Sequence, residues 1–385
     1  MNITNDIKYI GVNDHNIDLF EGQYVVPNGM AYNSYVILDE QICVMDTVDQ
    51  NFVYEWLNNL EKVLDGKSPN YLVVSHMEPD HSAGIIEFVK KYPNAKVIGN
   101  TKTFKMISQF FNYEIINKIV VNDKDEINLG KHILTFVFAP MVHWPEVMVT
   151  YDSYYKVLFS ADAFGKFGAL DVEEDWACEA RRYYFGIVGM YGLQAQSLLK
   201  KISMLDINSI CPLHGPVLNE NLDYYFNLYN IWTAYTSESE GVMIAYTSIY
   251  GNTKKAALML EQELRNLGCQ KVVVCDLARD EMSEAVEDAF RYPNLVLATT
   301  TYNGSVFPFM NTFIETLIEH KLQNKRIGII GNGTWANLVD KVIIKKFETT
   351  KNNTILDNKV SILSSINDKN VEEIKLLAKE LMQVE

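Results

Sequence analysis

Short apolar runs alternate with polar turns through the first half of the chain, and longer helical stripes fall between them. Ser34–Leu38 and Ile42–Asp46 are β-type runs separated by Asp39-Glu40-Gln41, which predicts a hairpin. Phe52, Trp56, Leu57, Leu60 and Leu64 recur at helical spacing and predict one amphipathic helix. Tyr71–Val74, preceded by Ser68-Pro69-Asn70, reads as a buried strand, followed by a helix through Ile85, Ile86 and Val89. A strand at Lys96–Gly99 and a helix over Thr101–Phe111 come next. Strands are then expected at Leu134–Ala139, Val147–Tyr151 and Lys156–Phe159, the last two joined by the Asp152-Ser153 turn. Two helices between Arg181 and Leu205 and a short strand at Ile207–Pro212 complete this half.

A polar stretch, Thr233–Gly241, separates a second region in which strands and helices alternate. Val242–Tyr246, Lys271–Cys275, Asn294–Thr299, Arg326–Gly331 and Lys359–Leu363 are strands. Helices are expected at Thr253–Leu267, Pro308–His320, Trp335–Phe347 and Val371–Met382. Five strands joined by crossover helices imply a parallel, doubly wound sheet. The chain divides into a domain of residues 1–238 and another of 239–385.

Composition narrows the function. With 385 residues, 48% apolar and 22% charged, the chain supports two domains that each bury a core. A formal charge of −15 argues against gripping nucleic acid through its phosphates. Five scattered cysteines with no C-x-x-C pair, no basic-then-apolar leader and no membrane-length apolar run point to a cytoplasmic protein that spans no membrane.

Candidate chemistry concentrates at strand ends. Ser75–His81 carries His76, Glu78, Asp80 and His81 just after the Tyr71–Val74 strand. Two imidazoles and two carboxylates suit a borderline-to-hard transition metal, whereas a polar loop capped by Asp80 or Ser82 needs no histidines. His143, Asp162 and His214 also follow short apolar strands, so one sheet edge can gather all seven groups. His15, His132 and His320 have no such setting, and Asp171–Asp175 reads as a solvated acidic loop.

In the second region, Thr247-Ser248-Ile249-Tyr250-Gly251-Asn252-Thr253 runs from a strand into a helix. Hydroxyls and backbone N–H groups at a helix N-terminus hold a phosphate. Without a P-loop lysine or a G-x-G-x-x-G, the loop suits a monophosphate. Thr300-Thr301-Tyr302-Asn303-Gly304 and Gly331-Asn332-Gly333-Thr334-Trp335 would lie beside it at the switch point, with Tyr302 and Trp335 able to stack on a planar ring.

These residues resemble a known family. Thr247–Thr253 looks like the phosphate loop of flavodoxins, and the two later loops look like their isoalloxazine loops. The first half resembles the metallo-β-lactamase superfamily, its H-x-H-x-D-H signature reading His76-x-Glu78-x-Asp80-His81. The fusion in this order resembles the flavodiiron proteins (A-type flavoproteins) over nearly the whole chain. The resemblance implies an αββα sandwich followed by a flavodoxin-like sheet of order 2-1-3-4-5, carrying FMN and two irons. His76, Glu78 and His143 would ligate one iron, Asp80, His81 and His214 the other, with Asp162 bridging. In some members the histidine matching His81 is not a ligand. The family often has aspartate after the His-Trp-Pro segment, where this chain has Glu146, which is not an expected ligand. Trp144, Tyr24 and Tyr191 are candidates to line the gas pocket, core packing being the equal reading for the tyrosines.

The implied reaction is reduction of dioxygen to water, nitric oxide to nitrous oxide, or both. A separate donor such as rubredoxin or its reductase would deliver the electrons, because no cysteine tetrad follows the flavodoxin half. A head-to-tail homodimer or homotetramer is implied as well. The competing readings are a zinc-dependent hydrolase with a regulatory flavodoxin domain and a non-enzymatic electron carrier. Glu78, standing where zinc hydrolases carry histidine, argues against the first by making the site harder and more anionic.

Overall fold

The structure is a computed structural model that describes residues 3–383. The chain forms two compact units, one of residues up to Tyr184 with Tyr191–Asn230, the other of Phe185–Met190 with the chain from Ile231 on.

The first unit is built on two sheets. Six strands lie in the order Ile7–Tyr9, Tyr35–Ile37, Cys43–Met45, Tyr71–Val73, Lys96–Gly99, Lys118–Val120. Five more follow as Glu126–Asn128, Ile133–Phe138, Met148–Asp152, Val157–Phe159, Ser209–Cys211. The expected hairpin forms, with Tyr35 opposite Met45. Strand Met148–Asp152 pairs with Val157–Phe159 as read, Thr150 facing Phe159. Alternate residues of both sheets meet in one core: Ile37, Met45, Val73 and Ile98 pack with Phe136, Met148, Phe159 and Cys211. Helix Val53–Leu64 buries Val53, Trp56, Leu57, Leu60 and Leu64, and the indole of Trp56 donates to Ser34 Oγ at 2.9 Å. Helix Thr101–Phe111 starts where Asn100 and Thr103 form a reciprocal cap.

In the second unit the parallel strands run Val272–Asp276, Val242–Tyr246, Asn294–Tyr302, Arg326–Asn332, then an outer strand. This is the 2-1-3-4-5 order. The outer strand is split into Thr354–Ile355 and Val360–Ile362, both paired with Arg326–Asn332. Val242, Ile244, Val296, Ala298 and Ile330 pack against Leu260, Leu264 and Leu377 of the flanking helices Asn252–Asn266 and Asp368–Met382.

Several elements differ from the sequence reading. The helix expected from Trp335 begins at Val339, because Trp335–Leu338 stay in the preceding loop. The expected pair between Arg181 and Leu205 is a helix at Trp176–Tyr183 and another at Gly192–Ile202, joined by π and 3-10 turns. Helices Leu222–Thr233 and Met282–Arg291 lie outside the elements that the sequence pattern predicts. The first is rich in aromatics on several faces, so no one-sided stripe marks it. The acidic loop is only partly a solvated surface: Glu174 pairs with Lys166 and accepts from Asn28 Nδ2 at 2.7 Å, and Asp175 caps the helix after it. Among the described residues, no helix is long and apolar enough to cross a membrane.

Candidate metal centre and flavin site

Each candidate metal ligand follows a strand whose apolar residues are locked in the core, so the polar group is delivered to the rim. His76 lies three residues after Tyr71–Val73, and Asp162 and His214 each three after Val157–Phe159 and Ser209–Cys211. His143 lies in the connection between Ile133–Phe138 and Met148–Asp152. Local bonds then fix the loops. Asp46, buried at φ 55°, accepts from the backbone N–H of Ser75 at 2.6 Å. The Thr47 hydroxyl donates to His81 O at 2.7 Å. The amide of Asn33 donates to Pro212 O at 2.9 Å and Gly215 O at 2.7 Å, bracketing the turn that carries His214.

All seven predicted groups converge, in two sets. In the first, His76 Nε2 is 3.3 Å from Glu78 Oε2 and 3.2 Å from Asp162 Oδ2, while His143 Nε2 is 3.0 and 3.2 Å from the same atoms. In the second, Asp80 Oδ2 is 3.3 Å from His81 Nε2 and 3.2 Å from His214 Nε2. Asp162 serves both, its Oδ1 lying 3.6 Å from His81 Nε2 and 3.8 Å from His214 Nε2.

The electrostatics call for cations. Burial opposes ionisation of Asp162 and Glu78, yet the surrounding imidazoles hold both carboxyls well below the usual carboxylate range. Burial likewise opposes charge on His143, but the adjoining carboxylates of Asp162 and Glu78 bring it to about 9. Burial, which the charge of Asp80 opposes without overcoming, lowers His81 to about 4. Both carboxylate oxygens of Asp80 and of Asp162 are buried without a hydrogen-bond partner. Metal–ligand bonds of about 2.0–2.2 Å place neighbouring donors roughly 3–3.5 Å apart, the spacing found within each set. The donor set fits two divalent transition metals that take nitrogen and oxygen ligands.

Aromatic rings wall the cluster. Trp144 packs edge-on against His76 with centroids 5.2 Å apart, and lies parallel to Phe110 at 6.2 Å. Phe20 and Tyr183 flank His214 at 5.3 and 5.5 Å, and Tyr32 meets His81 and His214 at 6.5 and 6.1 Å. Phe20, Tyr32 and Tyr183 were missed in the sequence because nothing local ties them to a ligand. Tyr24 packs on Phe167 at 5.5 Å, and Tyr191 immediately precedes the helix Gly192–Ile202. Glu21 is a further neighbour, its carboxyl pushed up to about 7 by burial and by the charge of Glu78.

In the second unit, a cavity of about 580 Å³ opens at the strand ends. It is lined by Ser248, Ile249, Tyr250, Asn252 and Thr253, by Thr300–Gly304, and by Asn332, Gly333, Thr334 and Trp335. Gly251, at φ 91°, makes the left-handed turn into helix Asn252–Asn266, whose N-terminus faces the loop. Three predicted residues lie behind the lining. The hydroxyl of Thr247 is buried and bonded to Thr299 Oγ1 at 2.7 Å. Gly251 lines an adjacent hollow with Lys254 and Lys255. Gly331 sits where a Cβ would stand 2.8 Å from the Asn337 amide. Ala336, Leu338 and Ser364 join the lining unread. The Ser364-Ser365 pair after the last apolar strand was the available signal for the third of these. Asn332 stitches the loops, its amide 3.4 Å from Thr253 Oγ1 and 3.1 Å from Ser364 O. Trp335 is 94% exposed and Tyr302 41%, leaving two aromatic faces free beside the hydroxyl-lined cavity, as a flavin mononucleotide requires.

Comparison with known proteins covers both regions of the chain. The family model described as ODP family beta lactamase matches residues 30–215, and a Flavodoxin domain model matches 243–367. An uncharacterized protein of Methanocaldococcus jannaschii is 31% identical over 82% of this chain and 80% of its own. A nitric oxide reductase of Moorella thermoacetica is 27% identical over 91% and 90%. In fold, the rubredoxin oxygen:oxidoreductase of Desulfovibrio gigas superposes with a TM-score of 0.92 at 24% identity, covering 100% of this chain and 98% of that one. The flavodiiron protein of Giardia intestinalis gives 0.92 at 23%, covering 99% and 96%. The chain therefore belongs to the flavodiiron proteins, oxidoreductases that join FMN in a flavodoxin-like domain to a di-iron centre in a β-lactamase-like one.

Proposed function

We propose that this protein reduces dioxygen to water, nitric oxide to nitrous oxide, or both, drawing electrons through FMN from a separate redox protein. One observation carries the reading: two sets of imidazole and carboxylate donors share the two oxygens of Asp162. His76, Glu78 and His143 would hold one iron and Asp80, His81 and His214 the other. When bound, the iron pair supplies electrons and adjacent Lewis-acid positions to a diatomic gas, and FMN passes electrons onward.

The chain's own residues do the rest. Glu78, Asp80 and Asp162 compensate the cationic charge in a buried setting, which favours the higher oxidation state. Trp144, Phe20, Tyr32 and Tyr183 keep water away from the cluster; Tyr24 and Tyr191 would extend that wall. The hydroxyls of Ser248 and Thr253 and the helix N-terminus would bind the flavin phosphate, with Tyr302 and Trp335 against the ring. The names of the relatives support both gases: nitric oxide reductase in Moorella thermoacetica, rubredoxin oxygen:oxidoreductase in Desulfovibrio gigas. The second name favours a rubredoxin-like donor. A head-to-tail homodimer or homotetramer and a cytoplasmic location complete the reading.

The test is metal and flavin analysis of anaerobically purified protein, then stopped-flow reaction of the reduced enzyme with each gas. About two irons and one FMN per chain with rapid reoxidation are expected. Zinc with hydrolytic turnover would replace this reading with the hydrolase one, and neither turnover would leave an electron carrier.

A further inference from the structure

We propose that Glu146 is a positioning residue for the metal centre: it sets the tautomer of His76 and strengthens that imidazole as a metal donor. The inference rests on the di-iron reading above and concerns a residue that does not itself face the metal positions.

The side chain of Glu146 is fully buried behind His76. Its Oε1 accepts from the backbone N–H of Met77 at 2.8 Å and lies 2.9 Å from His76 Nδ1. An ionised carboxylate has no proton to donate, so this oxygen accepts both bonds, and His76 carries its proton on Nδ1. The lone pair is then on Nε2, the atom that faces Glu78 and Asp162. Glu146 is itself anchored. Asn100 Nδ2 donates to Glu146 O at 2.6 Å, and Asn100 is the N-cap of helix Thr101–Phe111. One continuous set of bonds therefore runs from a helix cap to a metal-facing imidazole.

Two other candidate histidines, both of the second set, are held differently. His214 Nδ1 donates to the carbonyl of Ala31 at 2.7 Å, a neutral acceptor, and His81 Nδ1 is buried with no partner. An anionic acceptor draws the Nδ1 proton more strongly and makes the opposite nitrogen more basic. The two metal positions are thereby unequal, the one beside Glu78 being richer in electron density. Among the described residues no lysine or arginine ion pair with Glu146 is formed, and its Oε2 has no hydrogen-bond partner. A buried carboxylate so placed is costly as mere packing, and the positive charge it offsets lies on the metal side of His76. Where the family often carries aspartate, the extra methylene of glutamate extends the reach behind the imidazole.

The test uses the full chain loaded with FMN and iron. Glu146→Gln keeps the oxygen that Met77 and His76 need and removes only the charge. It should retain FMN as the wild type does, release iron to a chelator about 10–100-fold more readily, and shift a di-iron midpoint potential in the positive direction. Glu146→Asp, which restores the charge, should move the potential back toward the wild-type value. Unchanged iron release and potentials in Glu146→Gln would overturn the proposal and leave Glu146 a staple for the Met77 amide. A second measurement needs no variant: in zinc-loaded, ¹⁵N-histidine-labelled wild type, His76 should show its proton on Nδ1, and an Nε2–H tautomer would also overturn it. Wild-type protein that holds no iron pair would instead defeat the di-iron reading itself, an outcome distinct from either result.

Discussion

His81 and His214 bring their Nε2 atoms to 2.9 Å of each other, with both rings buried. Two neutral imidazoles cannot both present lone pairs at that distance without a proton or a cation between them. His81→Ala should therefore lower bound iron toward one per chain without altering FMN content. Two tightly held irons in this variant would show that His81 is not a ligand, the other behaviour found in the family.

Among the described residues Asp162 is the one carboxylate whose two oxygens turn to different sets, Oδ2 to His76 and His143, Oδ1 to His81 and His214. Asp162→Asn keeps the shape and removes the charge that holds two cations together. The iron pair should fail to assemble while the flavin absorption spectrum stays intact. Normal activity with two irons bound would refute the bridging role.

Trp335 is almost fully exposed at the rim of the flavin cavity, where its ring is free to lie against a bound isoalloxazine. Trp335→Ala should weaken FMN binding by a few-fold to about tenfold, the range given by aromatic contacts of about 0.5–1.5 kcal/mol. Fluorescence titration of the flavin-free protein measures it. Unchanged affinity would mean that the ring does not stack on the flavin.

His132, which the sequence left without a role, is fully buried 3.0 Å from Asp152 Oδ2 and 3.6 Å from Asp6 Oδ2. Tyr154 and Tyr155 pack on its ring, and Lys131 and Asp39 are its charged neighbours along the chain and across the turn. Burial opposes its charge, but the bond and charge of Asp152, with Asp39 and Asp6, hold its pKa above the ordinary 6.5. A pKa raised on folding stabilises the fold fully below the unfolded value and ceases to do so as pH climbs through the folded value. The stability lost in His132→Asn should therefore be larger at about pH 6 than at about pH 9. Urea unfolding of both proteins at the two pH values checks this. A pH-independent gap would show that His132 is neutral in the fold.

Much of the site was legible because its carriers are local. A run such as Tyr71–Val73 must be a core strand, and a strand buried that fully ends at a rim, so the residues that follow it are displayed there. That reasoning located His76, Asp162 and His214 and the three flavin loops. It failed for Glu146, whose partners His76 and Met77 lie 70 and 69 positions away, and for Phe20, Tyr32 and Tyr183, which are ordinary core aromatics until the fold sets them against histidines. It also assigned Thr247 to the flavin lining, although its hydroxyl is taken by Thr299.

By itself the sequence determined the two-part architecture, the parallel, doubly wound character of the second unit and the residue types offered as metal ligands. These follow from hydrophobic periodicity and from residue chemistry, which act over a few neighbouring positions. Only the tertiary structure decided which oxygen of Asp162 faces which histidines, which nitrogen of His76 meets Glu146, and which loops Asn332 ties together. Those are orientations of side chains brought together from distant strands, and orientation is set by packing and hydrogen bonding in three dimensions, which spacing along the chain does not record.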